Sequence, residues 1–255
     1  TLSELNIANS KLNELNATKD KFFSIIAHDL KNPFNSIKGF TELMIENNTD
    51  YDEEKRLKFL KIIKDSTNKA STLLNNLLIW ANSQSGNLNY TPQKIELVRH
   101  VLDVVSLLEI QAIKKEIEIY NNIDHNISVK ADVNMLNTIL RNLISNAIKF
   151  TKSKGEIKIL SNITDGMVEI SVKDNGVGML EEDIENLFSI DVKNTNIGTA
   201  NEQGSGLGLI LCKDFVERHG GKIWVNSVKD QGSEFVFTIP VWIDEPENSS
   251  TESIL

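Results

Sequence analysis

His28 stands in the run Phe22-Phe23-Ser24-Ile25-Ile26-Ala27-His28-Asp29-Leu30-Lys31-Asn32-Pro33-Phe34. A helical histidine is more often a surface or core residue than a reactive one, but these neighbours change the weighting. Asp29 adjoins it and can orient or deprotonate an imidazole. Asn32 follows one helical turn later, on the same face. Pro33 removes the hydrogen bond to the Asp29 carbonyl and loosens the helix there. A neutral ring nitrogen beside a carboxylate is a reasonable phosphoryl acceptor. Further on, Asn142 and Asn146 in Arg141-Asn142-Leu143-Ile144-Ser145-Asn146-Ala147-Ile148-Lys149 project from one helix face. Two uncharged carboxamides suit a hydrated Mg²⁺ that brings phosphate oxygens with it, and Lys149 is in reach of phosphate. Alone, such asparagines would be read as decoration of a helix.

Two glycine-rich turns complete the set. In Lys173-Asp174-Asn175-Gly176-Val177-Gly178-Met179, an acid ends a strand and Gly-x-Gly follows. The turn lets a ligand approach the backbone, and Asp174 can accept a hydrogen bond from an exocyclic amine such as adenine N6. An ordinary hairpin turn is the plainer reading. In Gln203-Gly204-Ser205-Gly206-Leu207-Gly208, the glycines lead into a helix whose N-terminal amides favour phosphate. No Gly-Lys-Ser/Thr follows, so this is not a Walker A loop, and no strand immediately precedes it, so it is not a dinucleotide fingerprint. The polar stretch 180–203 between the turns, with Phe188 and a Thr/Asn/Gly-rich run, reads as a mobile lid.

These residues need elements to hold them, and the elements fall into two groups. Residues 1–88 carry 11 basic and 11 acidic residues, whereas 89–255 carry 16 and 25. The small polar stretch Ser85-Gly86-Asn87, with Pro92 soon after, marks the boundary. Before it, Leu5, Leu12, Lys19 and Ile26 form one seam of a seven-residue repeat and Leu2, Asn9, Asn16 and Phe23 the other, the pattern of a short parallel coiled coil. Apolar residues recur to Met44, Asn47-Asn48-Thr49-Asp50 breaks the run, and a second helix is expected over 52–84. Two such hairpins pair as a four-helix bundle; a plain dimerising hairpin explains the same seams. After the boundary, the pattern predicts strands at 94–97, 116–120, 156–162, 167–173, 222–227 and 234–239, with 128–130 a short strand or an extended link. Helices are expected at 98–114, at 132–150 with Asp132 as N-cap, and at 208–219 ended by Gly220-Gly221. Asp165-Gly166 signals a hairpin. Mixed strands and helices without strict alternation describe an α/β sandwich, helices on one face of a mixed sheet.

Composition narrows the function classes. The chain of 255 residues has a formal net charge of −9, against broad electrostatic binding of nucleic acid. The single cysteine, Cys212, excludes a disulfide framework or a cysteine zinc cluster within the chain. No apolar run reaches the ~18 residues of a membrane span. The opening residues show no secretory leader. The chain begins with Thr, so a fragment of a longer protein is expected.

In combination and in this order, the four segments resemble the core of a sensor histidine kinase, over about residues 15–240. His28 matches the phosphoaccepting histidine of the H-box. Asp29 matches the acid that assists transfer, and Asn32 the position used to dephosphorylate a partner response regulator. Asn142 and Asn146 match the N-box, Asn146 being the implied Mg²⁺ ligand. Asp174, Gly176 and Gly178 match the first glycine box, with Asp174 on adenine. Gly204, Gly206, Leu207 and Gly208 match the second. Phe188 resembles the aromatic of the F-box, in a segment that departs from that motif. Gly232-Ser233-Glu234-Phe235 resembles the closing motif whose hydroxyl, here that of Ser233, helps hold adenine.

The resemblance implies a Bergerat-type ATP-binding sandwich, ATP and Mg²⁺ as ligands, a homodimer, and γ-phosphoryl transfer to His28 and then to a response regulator receiver domain. It implies a dimerisation and phosphotransfer domain (21–88) and an ATP-binding domain (89–243), while the seven-residue repeat predicts a leading coiled-coil helix (1–20) and the polar composition after Ile243 a disordered tail (244–255). A cytoplasmic catalytic part, with its sensor module upstream of this chain, is expected. Three alternatives remain, one of them a phosphatase-dominant member of the family in which Asn32 matters more than ATP. A gyrase-like ATP hydrolase would need an acid where Asn142 stands and leaves the His28 segment unexplained. A non-catalytic dimer scaffold would not need intact glycines and both asparagines.

Overall fold

The computed structural model describes residues 2–46, 51–84, 89–188, 198–200, 202 and 207–244. The break at 47–50, the boundary at 85–87, residues 189–197, 201 and 203 of the expected lid, Gly204, Gly206 and nearly all of the expected tail lie outside the described residues. Contacts divide the chain into two compact units, Thr1–Asn89 with Glu181–Leu211, and Tyr90–Leu180 with Cys212–Leu255.

The first unit is built on a helical hairpin, α1 (Leu2–Glu46) packed along α2 (Glu53–Gln84). Asp52 starts α2, its carboxylate accepting the Lys55 amide at 2.8 Å, as an N-cap does. Helix α1 runs through Pro33, which is buried. The hairpin closes around Ile26, Ala70, Leu73 and Trp80. Phe23 meets Trp80 edge-on at 6.2 Å, and at the turn end Phe59 packs between Phe40 and Tyr51 at 5.1 and 5.2 Å. Leu57, Leu60, Leu74 and Leu78 stay at least half exposed, or nearly so. A short helix, α5 (Glu181–Glu185), lies in the stretch read as loop from the sequence.

The second unit is a mixed sheet covered on one face. Its strands are β2 (Glu118–Asn122), β4 (Glu156–Thr164), β5 (Met167–Asp174), β6 (Ile223–Val228) and β7 (Gly232–Pro240). They lie in the order β2-β4-β5-β7-β6, with β2 parallel to β4 and the other neighbours antiparallel. The register aligns Ile159, Val172 and Phe235 in one row. With Ile157, Ile170, Val168, Phe237 and Ile239, they form the buried face. Helix α3 (Leu97–Lys114) packs on α4 (Val133–Phe150), and α4 on β5. Nine side chains of α4 are buried, which explains why its apolar residues recur at helical spacing. The helix α6 (Leu207–Arg218) contributes Cys212, Phe215 and Val216 to this core, the Cys212 thiol reaching the Ile139 carbonyl at 3.9 Å.

Local signals act where the sequence placed them. Asp165 and Gly166 have φ of 53° and 75°, the left-handed pair that a tight β4–β5 hairpin requires. Gly220, at φ 76°, ends α6: its amide bonds Glu217 O, and the Gly221 amide bonds Val216 O, the Schellman pattern. One expectation changes. The strands β1 (Gln93–Glu96) and β3 (Ser128–Ala131) do not join the main sheet; they form an antiparallel ribbon of their own. The segment after β7 ties the ribbon to the sheet, Val241 bridging Val129 and the Trp242 amide bonding Ser128 O at 2.8 Å.

Candidate functional site

In the first unit, His28 is well exposed on α1, its side chain 57% accessible, while the Asp29 side chain is largely covered. Their contact is His28 Nδ1 to Asp29 Oδ1, 3.0 Å. A carboxylate can only accept, so Nδ1 carries the proton and Nε2 the lone pair. In that tautomer Nε2 is the basic ring nitrogen. Asn32 is exposed one turn on, and its backbone carbonyl accepts the Ser36 hydroxyl at 3.2 Å.

In the second unit, Asp174 continues the buried row of β5. Val168, Ile170 and Val172 point to the helices, and at the next position of that alternation stands a carboxylate, 5% exposed. Its Oδ1 accepts the Gly176 amide at 2.8 Å and the Ser233 amide at 3.3 Å. Burial pushes the Asp174 carboxyl up to about 6, against the opposing pull of the Gly176 and Ser233 amides. Both bonds fall on Oδ1, so Oδ2 is left for a donor brought from outside.

The turn that follows admits no side chains at two of its glycines. A Cβ on Gly176 would lie 2.3 Å from the Phe150 carbonyl oxygen. Gly178 has φ 59°, and a Cβ there would meet Val228 O at 2.0 Å. The turn is thereby pressed against the end of α4, where the Val177 amide bonds Phe150 O at 3.1 Å. On the other side, the Ser227 hydroxyl accepts the Met179 amide, donates to Gly232 O, and lies 2.9 Å from the Ser233 hydroxyl. Asp174, Gly176, Gly178 and Ser233 therefore form one constellation.

Helix α4 supplies the other half. The Asn142 amide group donates to Thr138 O at 2.9 Å, which turns its oxygen away from the helix. None of the described residues bonds the Asn146 carboxamide, one turn later. Lys149 holds its ammonium 4.4 Å from the Phe150 ring centre. No group of three or more His, Cys, Asp or Glu that could hold a metal exists among the described residues. Two amide oxygens without carboxylates fit a hard cation that arrives with phosphate and water as its remaining ligands. Leu207 is buried and Gly208 half-buried at the start of α6, while Gly204 and Gly206 lie outside the described residues.

Sequence reasoning missed two supports of this site and the packing role of another. Gly232, read from the sequence only as the first residue of the closing motif, has φ 101° and lies so near Asp174 O that a Cβ would sit at 2.0 Å. Ser227 was passed over as an ordinary strand residue. The other missed support is His219, which holds the start of α4. Its Nε2 accepts the Asp132 amide at 3.0 Å and its Nδ1 donates to Phe215 O. The Asp132 carboxylate in turn caps α4 through Asn134 and Met135 and holds Thr91. Burial holds the His219 imidazole below its ordinary 6.5, although Phe215 O and Asp132 pull the other way.

Residues 18–86 match the model of the His Kinase A (phospho-acceptor) domain, and residues 131–243 match that of the histidine kinase-, DNA gyrase B- and HSP90-like ATPases. The chain is similar to the sensor histidine kinase WalK of Bacillus subtilis, 26% identical over 94% of this chain and 39% of WalK. It is similar to the adaptive-response sensory kinase SasA of Prochlorococcus marinus, 30% identical over 96% of this chain and 63% of SasA. The chain thus spans less than two thirds of the length of either relative, 39% of WalK and 63% of SasA. Among solved structures, the histidine kinase ThkA in complex with the response regulator TrrA superposes with a TM-score of 0.67 at 28% identity, over 89% of this chain and 63% of that one. The Acinetobacter baumannii histidine kinase AdeS shares the fold, with a TM-score of 0.68 at 20% identity over 84% of this chain and 97% of that one.

Proposed function

Because this chain belongs to the sensor histidine kinases, with a phosphoacceptor domain and an ATP-binding domain in one polypeptide, we propose that it phosphorylates its own His28 from ATP and passes the phosphoryl group to an aspartate of a response regulator. The observation that carries this reading is the pairing of two sites in one chain. One is an exposed imidazole whose Nδ1 is held by Asp29; the other is a buried carboxylate, Asp174, braced by the amides of a glycine turn. In the reaction the lone pair of His28 Nε2 attacks the γ-phosphorus. The bond from that phosphorus to the bridging oxygen breaks, and ADP leaves with the electron pair. Asp29 stabilises the positive charge that develops on the ring and accepts its Nδ1 proton. In the second step the N–P bond breaks and the phosphoryl group moves to a carboxylate oxygen of the regulator.

On this reading Asp174 Oδ2 takes the adenine amino group, with the Ser233 hydroxyl beside it. Mg²⁺ would be held by Asn146 and by Asn142, and it supplies charge neutralisation on the phosphates when bound. Lys149 and the α6 N-terminus with Gly204, Gly206 and Gly208 add to that, which an acidic domain needs toward an acidic ligand. Asn142 carries no basic atom with which to activate water, which disfavours plain hydrolysis. The exposed leucines of α2 support a homodimer built on the hairpin. ThkA, crystallised with a response regulator, supports a receiver domain as the partner. Asn32, one turn from His28, would position water for the reverse, dephosphorylating activity. We assign residues 1–20 to a leading coiled coil, 21–88 to dimerisation and phosphotransfer, 89–243 to nucleotide binding, and place the catalytic part in the cytoplasm.

Incubation with γ-labelled ATP tests the reading. Wild-type chain should acquire acid-labile, base-stable label. His28→Gln should acquire none while keeping ATP affinity within about threefold, since His28 lies outside the nucleotide-binding segments. Labelled phosphate released without labelled protein would point to a hydrolase instead.

A further inference from the structure

The last four carbonyls of any helix lack intrahelical partners, and in α4 each is taken. Ala147 O accepts the Thr151 amide and hydroxyl. Phe150 O accepts the Val177 amide of the glycine turn. The two between them, Ile148 O and Lys149 O, both accept the ammonium of Lys115, at 2.7 and 3.0 Å. Lys115 comes from outside every motif described above. It follows α3, and its own backbone is fixed on both sides. Its amide bonds Ala112 O, and its carbonyl accepts the Lys154 amide and the Ser153 hydroxyl. The ammonium is thus delivered to a fixed point, where a cation also opposes the negative end of the α4 dipole.

What hangs from that point is both halves of the site. One turn back along α4 stands Asn146, and a turn before it Asn142. One residue beyond the clamped carbonyls, Phe150 O receives the glycine turn, so close that Gly176 has no room for a Cβ. Through the Gly176 amide the turn holds Asp174. We propose that Lys115 is a positioning residue that sets the spacing between the Asn142/Asn146 face of α4 and Asp174, and so the affinity for an intact Mg·ATP as distinct from its base. This inference rests on the nucleotide reading above. It gives Lys115 no contact with the ligand. A ligand that spans both halves feels an error in their spacing, whereas one that uses a single half does not.

Lys114 is the natural control: it is the preceding lysine, exposed to solvent. Affinities for Mg·ATP and for adenosine would be measured by calorimetry on the full chain, with the KM for ATP in autophosphorylation and the circular dichroism of each variant. Lys115→Met should weaken Mg·ATP binding by about tenfold or more and raise KM in step, with adenosine binding changed by less than about twofold. Lys115→Arg, which keeps a charged donor, should restore Mg·ATP binding to within about threefold, and Lys114→Met should match wild type. Equal losses for Mg·ATP and adenosine would make Lys115 merely structural and overturn the proposal, as would an unchanged ratio. Should Lys115→Met fail to fold, Lys115→Gln, which keeps one donor without the charge, must show a reduced ratio, and a wild-type ratio there overturns it. Wild-type chain that bound no ATP would overturn the nucleotide reading, whereas ATP binding in wild type with no ratio change in the variants overturns this inference alone.

Discussion

Replacing Asp174 by asparagine should stabilise the ligand-free protein at neutral pH while weakening nucleotide binding. The carboxyl is almost wholly buried, and burial pushes it from 3.8 up to about 6. A rise of about two units at about 1.4 kcal/mol each means that the ionised group costs the fold about 3 kcal/mol at pH 7.5. The sign follows from proton uptake. Below 3.8 the acid is neutral in both states and costs nothing. As pH rises from 3.8 to 6 the unfolded chain loses its proton first, and the cost grows. Above 6 it is complete, and at pH 5 about half of it is present. Asparagine has the same shape, keeps an oxygen for the Gly176 and Ser233 amides, and is never charged. Asp174→Asn should therefore gain about 3 kcal/mol at pH 7.5 and about 1.5 kcal/mol at pH 5, read by urea unfolding of the ligand-free chain followed through Trp224 and Trp242, with Trp80 replaced by Phe. ATP affinity, measured on the same samples, should fall, because an amide at Oδ2 presents a donor to the adenine amino group. A variant less stable than wild type at pH 7.5, or a gain that did not shrink with pH, would refute the argument that the carboxylate is held at the fold's expense for a ligand.

Asn32→Ala should keep autophosphorylation within about twofold, since the carboxamide is neither basic nor nucleophilic, and lose dephosphorylation of the phosphorylated regulator by about tenfold or more; assays of both directions on purified protein check this, and the reverse pattern would sink the assignment. In the Asp174→Asn background, stability should fall as pH drops below 6.5: His219 is held neutral by burial, so its contribution is complete above the unfolded value and is lost toward acid. His219→Gln should flatten that slope between pH 7.5 and pH 5.5, which denaturation at several pH values would detect.

How far the sequence carried depended on how local each interaction is. Asp132 caps residues two and three positions on, Asp165-Gly166 makes a turn from its own backbone, and Gly220 ends a helix within one turn. Each could be placed from its neighbours. The separation of β1 and β3 from the main sheet could not, because alternation shows which face of a strand is apolar and not which strand lies beside it. Lys115 and His219 escaped for the same reason. Their partners stand 33 and 87 residues away along the chain, and each residue by itself looks like a surface lysine and a helix-end histidine. Asp174 was legible as an acid before Gly-x-Gly; that it interrupts an apolar row, and is costly for that reason, required the register of β5 against β7.

The burial of Cys212 has a practical consequence. Its thiol is inaccessible in the core of the nucleotide-binding unit, and burial pushes its ionisation far upward. Alkylating reagents attack thiolates at accessible sites, so the native chain offers them no competing target while folded. A cysteine introduced at an exposed position such as Lys114 or Lys213 would take a maleimide label alone. Pairing such a label with a second on α2 would turn the natural sequence into a distance gauge between the two units, without first removing any residue.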